Sequence, residues 1–238
     1  MSKPSGYILW RGLSPTNQAP IVSILTLKST NRKTGPMAQV WILCEESDPV
    51  NAIASGDDRA ICGDCRHRKD AKGHRTCYVN PGQAPLSIYQ AWKRGKYPHI
   101  RSIPIDKAER LFSTLHVRWG AYGDPALLPS SLVHWINSKA KSYTGYTHQW
   151  AKPWAQWTAG VFMASVDTKS EHDLAKAIGY KTFSVLHHTN TNCNHAKQCP
   201  ATVEHSQTQC ITCNLCNGNR TDVWVAAHGP SAKHVTYA

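Results

Sequence analysis

No apolar run in this chain of 238 residues approaches the roughly 18–20 residues needed to cross a bilayer. The opening residues, Met1 to Gly6, lack the apolar stretch of a secretory signal. Neither a membrane-bound nor a secreted protein is expected, and a cytoplasmic location is. Acidic residues are scarce, with 15 Asp and Glu against 27 Lys and Arg for a net charge of +12. Such a surplus suits a polyanionic partner; it speaks to association and not to fold. Also missing are a nucleophilic triad, a Walker loop and a dinucleotide-binding glycine fingerprint. The segment Gly120-Ala121-Tyr122-Gly123 is too poor in glycine to cradle a phosphate. Hydrolase and kinase chemistries therefore have no residues to rest on.

What the chain has in unusual amount is cysteine, nine of them, with 13 histidines and nine tryptophans. Without a secretory signal, cysteines are expected as thiols or metal ligands rather than as disulfides, and an odd number pairs poorly. Seven fall into two groups. The C-terminal group is Cys199-Pro200, then Cys210-x₂-Cys213-x₂-Cys216. Two consecutive C-x₂-C steps let one short loop wrap three thiolates around a centre. Ferredoxin-type [4Fe–4S] clusters use that run with a distant Cys-Pro as a further ligand, although here the Cys-Pro lies upstream. Four thiolates also satisfy tetrahedral zinc, which stands as the alternative. The N-terminal group is Cys62-x₂-Cys65 followed by Cys77, with His67 and His74 nearby. It reads as a Cys₃His zinc knuckle, as three ligands of a cubane with one open iron, or as part of one site shared with the other group. Cys44 closes an apolar run and is expected in the core; Cys193 stands alone.

Along the chain, residues 1–20 read as an extended arm, and residues 21–238 as a single α/β domain. Val22–Leu27 and Ala38–Leu43 are predicted strands flanking a turn at 31–36, which makes a hairpin. Residues 45–85 and 190–220 form cysteine-rich insertions, and a loop as long as the first needs a function or a metal to hold it. Helices are predicted at Pro85–Gly95, Ile105–Leu115, Ser130–Ala140 and Ser170–Ile178. Between and after them, strands are predicted at His116–Asp124, Gly145–Trp150, Val161–Asp167, Thr182–Leu186 and Asp222–Gly229. Alternating strands and helices imply right-handed crossovers and a mainly parallel sheet. The expected fold is a (βα)-barrel-like or partial-barrel scaffold carrying two metal-binding loops. Asp124, His148, Asp167 and His228 sit at strand ends, where parallel barrels build their active sites. Taken singly each is a turn or helix cap; together they favour a site, with Asp124, His148 and Asp167 as candidate catalytic residues.

The motifs Cys77-Tyr78 with Gly82, Gly123-Asp124-Pro125, Cys199-Pro200-Ala201 and Cys210-x₂-Cys213-x₂-Cys216 resemble an uncharacterised cysteine-rich family of phage and mobile-element proteins. That family carries the label gene product eighty-eight and is distantly similar to the radical-SAM barrels. The resemblance spans most of residues 20–230. It implies a (βα) barrel bearing an iron–sulfur cluster and, for a phage protein, a place in the host cytoplasm. Radical-SAM enzymes use C-x₃-C-x₂-C on one loop and a glycine-rich SAM segment. This chain has Cys62-x₂-Cys65-x₁₁-Cys77 and no such segment, so the resemblance bears on fold and cluster rather than on SAM chemistry.

Residues 1–110 hold 17 basic and nine acidic residues, so +8 of the +12 lies there. Arg66, Arg68, Lys69, Lys72 and Arg75 form one basic run, and Lys93, Arg94 and Lys96 another beside Tyr89, Trp92 and Tyr97. Lys and Arg collect phosphates and neighbouring aromatics stack on unpaired bases, so these residues are candidate contacts to nucleic acid, single-stranded or duplex. The plainer reading is a solvated basic face. Three functions follow as expectations. One is an iron–sulfur protein, with or without enzyme activity, acting on or near nucleic acid. Another is a zinc-stabilised nucleic-acid-binding protein without catalysis, and the third a redox or iron sensor.

Overall fold

The computed structural model describes residues 3–187 and 193–227, together with Ala232 and Val235. His188, His228 and Gly229 lie outside the described residues. Two five-stranded sheets form the α/β scaffold. The first is mixed, with strands β1 (Gly6–Leu13), β2 (Pro20–Thr26), β3 (Ala38–Cys44), β4 (His116–Tyr122) and β5 (Ser142–Thr144) in spatial order. β1, β2 and β3 are antiparallel neighbours, while β3–β4 and β4–β5 are parallel. The second sheet is parallel throughout, in the order β6 (Tyr146–Thr147), β7 (Met163–Val166), β8 (Thr182–Leu186), β10 (Val223–Ala226), β9 (Lys197–Gln198). Gly145 separates β5 from β6 and is the hinge between the sheets. Among the described residues no ladder joins β1 to β9, so the strands do not close into a barrel.

The hairpin expected at residues 22–43 forms as β2–β3, because both strands are apolar and buried on both faces. The N-terminal segment does more than trail as an arm: Gly6–Leu13 is paired along β2, with Tyr7 and Leu9 in the core. The first cysteine-rich insertion contains two short helices that its glycine and aspartate content hid, α1 (Pro49–Ser55) and α2 (Arg59–Cys62). Asp48 caps α1, accepting from the amides of Val50 and Asn51, and Pro49 starts the first turn. Four further helices match their predicted positions within a few residues. They are α3 (Ala84–Lys93), α4 (Ile105–Phe112), α5 (Ser130–Lys139) and α6 (Lys169–Ala177).

The main core lies on the mixed sheet, where Ile21, Ile24, Val40, Ile42 and Phe112 are fully buried. A smaller cluster of Ala164, Val166, Ala175 and Tyr180 joins α6 to one face of the parallel sheet. Side chains alternate across a strand, so Ser165, Phe183, Val185, Val223 and Val225 face the other way. They line a cavity of about 220 Å³.

Candidate metal centre

That cavity is roofed by both cysteine loops. Cys65 and Cys77 from the first group and Cys199, Cys210, Cys213 and Cys216 from the second all line it, although more than a hundred residues separate the groups. Cys62 lies close enough to Cys65 and Cys77 for their charges to bear on one another. Cys44 is buried and free, as expected of a core residue.

Backbone bonds fix the second loop at three points. Its short helix α7 (Cys210–Cys213) docks on the β2–β3 turn, where the amides of Cys210 and Ile211 donate to the carbonyls of Lys33 and Thr34 at 2.9 and 3.2 Å. The Cys216 carbonyl accepts from the Gly145 amide at 3.0 Å, in the break between the sheets. The Cys199 amide donates to the Trp224 carbonyl at 2.8 Å, beside β10. Gly218 lets this loop press on the chain, since a Cβ there would stand 2.6 Å from the carbonyl carbon of Val161, at a φ of +83°.

The first loop is held by buried polar contacts. Arg68 donates to Asp58 Oδ1 from Nε and Nη2 at 3.0 and 2.6 Å, and to the Gly56 carbonyl at 2.9 Å. Gly63, at a φ of +55°, ends α2, and a Cβ there would overlap the Gln149 side chain at 2.4 Å. Gln149 Nε2 in turn donates to the Cys62 carbonyl at 3.0 Å.

Burial raises the Cys216 thiol well above its ordinary pKa, and Cys199, Cys210 and Cys213 add to the rise. Burial likewise lifts Cys62, with Cys65 and Cys77 contributing. Thiols crowded in this way cannot ionise together unless a cation sits among them. The donor set therefore fits a thiolate-bound metal or cluster.

Three of the four strand-end residues can be placed, and they meet. Asp124 follows β4, His148 follows β6 and Asp167 follows β7. Asp124 is buried and fully engaged, accepting from the amides of Ala126 at 3.0 Å and His148 at 2.8 Å. Burial raises its pKa to about 6 against those hydrogen bonds. It caps the turn at Pro125–Leu127 and sets the backbone of His148, so it positions rather than faces the cavity. Asp167 is not a cap, because Thr168 caps α6. Its Oδ2 lies 3.3 Å from Arg66 Nε and its Oδ1 lies 3.4 Å from His67 Nε2. His67 Nδ1 stands 2.8 Å from Thr76 Oγ1. One donor atom each from His67, His148 and Asp167 lies within 4.8 Å of the other two. Burial, with His67 adding, pushes His148 down to about 4, which leaves its imidazole neutral. Burial works against the Asp167 carboxylate, but His67, His148 and Arg66 outweigh it and hold the pKa below the usual value.

No protein-family model matches the chain, and neither a curated protein nor a solved structure does.

His67 joining the strand-end residues is the part of the site that sequence reasoning missed. Its place two residues after Cys65 suggested a fourth ligand for the cysteines, and nothing in the spacing pointed its ring at Asp167. The basic run also divides. Arg66 pairs with Asp167, Arg68 with Asp58, and Arg75 donates to the carbonyls of Cys77 and Val79 at 3.0 and 2.9 Å. These three arginines hold the first loop in place. Lys69, Lys72, Lys93, Arg94 and Lys96 are exposed, and Lys93 lies over the rings of Tyr89 and Trp92. Tyr89 and Tyr97 are buried and offer no open stacking platform. Among the described residues, no helix is long and apolar enough to cross a membrane.

Proposed function

We propose that this chain is an iron–sulfur protein in which Cys199, Cys210, Cys213 and Cys216 hold a [4Fe–4S] cluster. The observation that carries the reading is the convergence of six cysteines from two distant segments on one cavity. Cys65 and Cys77 face the same space, and with Cys62 beside them they supply a second thiolate set. The two consecutive C-x₂-C steps of Cys210, Cys213 and Cys216 are the ferredoxin-type run, which favours a cluster over zinc. When bound by its four thiolates, the cluster would supply one-electron chemistry. Phe183, Val185, Val223 and Val225 give the site an apolar floor.

Nucleic acid as a partner rests on the exposed Lys69, Lys72, Lys93, Arg94 and Lys96 alone. Anaerobic purification with iron, acid-labile sulfide and zinc analysis is the test. Iron and sulfide in near-equal amounts, lost in Cys213→Ser, are expected. Colourless protein with stoichiometric zinc would overturn the proposal.

A further inference from the structure

Beside Cys65 of the first thiolate set, His67, His148 and Asp167 bring one donor atom each within 4.8 Å of the other two. One of those atoms, His148 Nε2, is buried with no hydrogen-bond partner, and Asp167 Oδ1 has only the His67 ring, 3.4 Å away, beside it. Asp167 itself is only 7% exposed. Buried polar atoms left unpaired in this way ask for an explanation, an unseen ion among them. The outer atoms of two of the residues are already held, His67 Nδ1 by Thr76 and Asp167 Oδ2 by Arg66. That is how a protein orients imidazole and carboxylate ligands towards a metal. Among the described residues no other group of three His, Cys, Asp or Glu brings its donors so close.

We propose that His67, His148 and Asp167 bind a divalent first-row transition ion, at a site separate from the cysteine ligands. Two imidazoles and one carboxylate on one side of an ion are the donor set of mononuclear iron(II) and manganese(II) sites, which leave coordination positions open. His67 and His148 are both part of the cavity wall, so the open positions face the cavity. Donors about 2.1 Å from an ion stand roughly 3.0–3.5 Å from one another. To hold an ion, the three donors would draw in from their present spacing of up to 4.8 Å. Arg66 takes one carboxylate oxygen and leaves the other to the ion.

The site does not depend on the iron–sulfur reading, and one experiment separates them. Manganese(II) is a hard ion that disfavours thiolate, and its free form is counted directly by electron paramagnetic resonance. Titrating the 238-residue chain should remove one equivalent of free manganese(II). Asp167→Asn and His148→Gln should each weaken binding at least about tenfold, and Thr76→Val, which frees the outer His67 nitrogen, by about tenfold. If Asp167→Asn does not fold by circular dichroism, His148→Gln and Thr76→Val decide. Iron and sulfide content of the same samples reports on the cysteines independently. Manganese binding without sulfide in any sample keeps this site and removes the cluster. A wild-type protein that takes up no manganese(II), or variants that take it up as well as wild type, would overturn the proposal.

Discussion

Arg68 shows what a charged residue in a cysteine loop does when it is not waiting for a phosphate. Its partner Asp58 is 3% exposed, so removing the guanidinium would strand a carboxylate in the interior. Arg68→Ala should therefore lose roughly 3–5 kcal/mol of stability, read by denaturant unfolding. Loss of nucleic-acid affinity with unchanged stability would contradict the assignment. Asp222 makes a comparable claim with a pH signature. It accepts from Lys176 Nζ and from the Thr182 amide, each at 2.8 Å. Burial opposes its ionisation, yet these partners hold its pKa below the usual carboxylate value. The unfolded chain thus takes up the proton at higher pH than the folded one. The stabilisation is complete above about pH 4 and vanishes as pH falls through the folded value. Asp222→Asn should lower the melting temperature at neutral pH, with the gap to wild type closing in acid. A gap unchanged down to about pH 3 would show that the ion pair is not its source.

At the level of elements, glycines set how closely the cysteine loops approach the sheets. Gly218→Ala would drive a methyl group into the backbone of Val161 and Phe162 at a positive φ, costing roughly 1–3 kcal/mol and moving Cys216. Gly179→Ala, also at positive φ but with nothing within 4 Å, serves as the control. The first variant should lose bound metal and the second retain it; equal metal content would mean the loop tolerates displacement. The regular elements were legible because their signals are local. β2 and β3 are runs of Val, Ile and Leu, and α3 ends at the Arg94-Gly95 stop. β1 was hidden by the prolines and glycines around it, and α1 by its polar flanks. Asp124, His148 and Asp167 could be found from strand ends, yet the role of Asp124 depended on the His148 amide, a contact no spacing encodes. That both cysteine groups share one cavity follows from the hinge at Gly145 and the docking of α7 on the hairpin turn, and neither leaves a periodic mark.

For the molecule as a whole, the cavity is where the two sheets are tied together, since α7 rests on the mixed sheet while Cys199 hangs from the parallel one. A group bound there stabilises the folded state alone, by an amount that grows with its affinity. Stripping it anaerobically with chelator should lower the melting temperature, and most steeply in the amide exchange of residues 197–216. Uniform loss across the chain, or none, would argue that the loops are held without it. The strand order carries a last consequence, for biosynthesis. β9 precedes β10 in the chain but reaches the sheet only through it. While the polypeptide is still on the ribosome, β8 therefore presents an unpaired edge, and the Cys199 amide has no Trp224 carbonyl to meet. The cavity takes shape only after residues 223–226 emerge, so under the iron–sulfur reading a cluster would enter after that point rather than while β10 is still unmade.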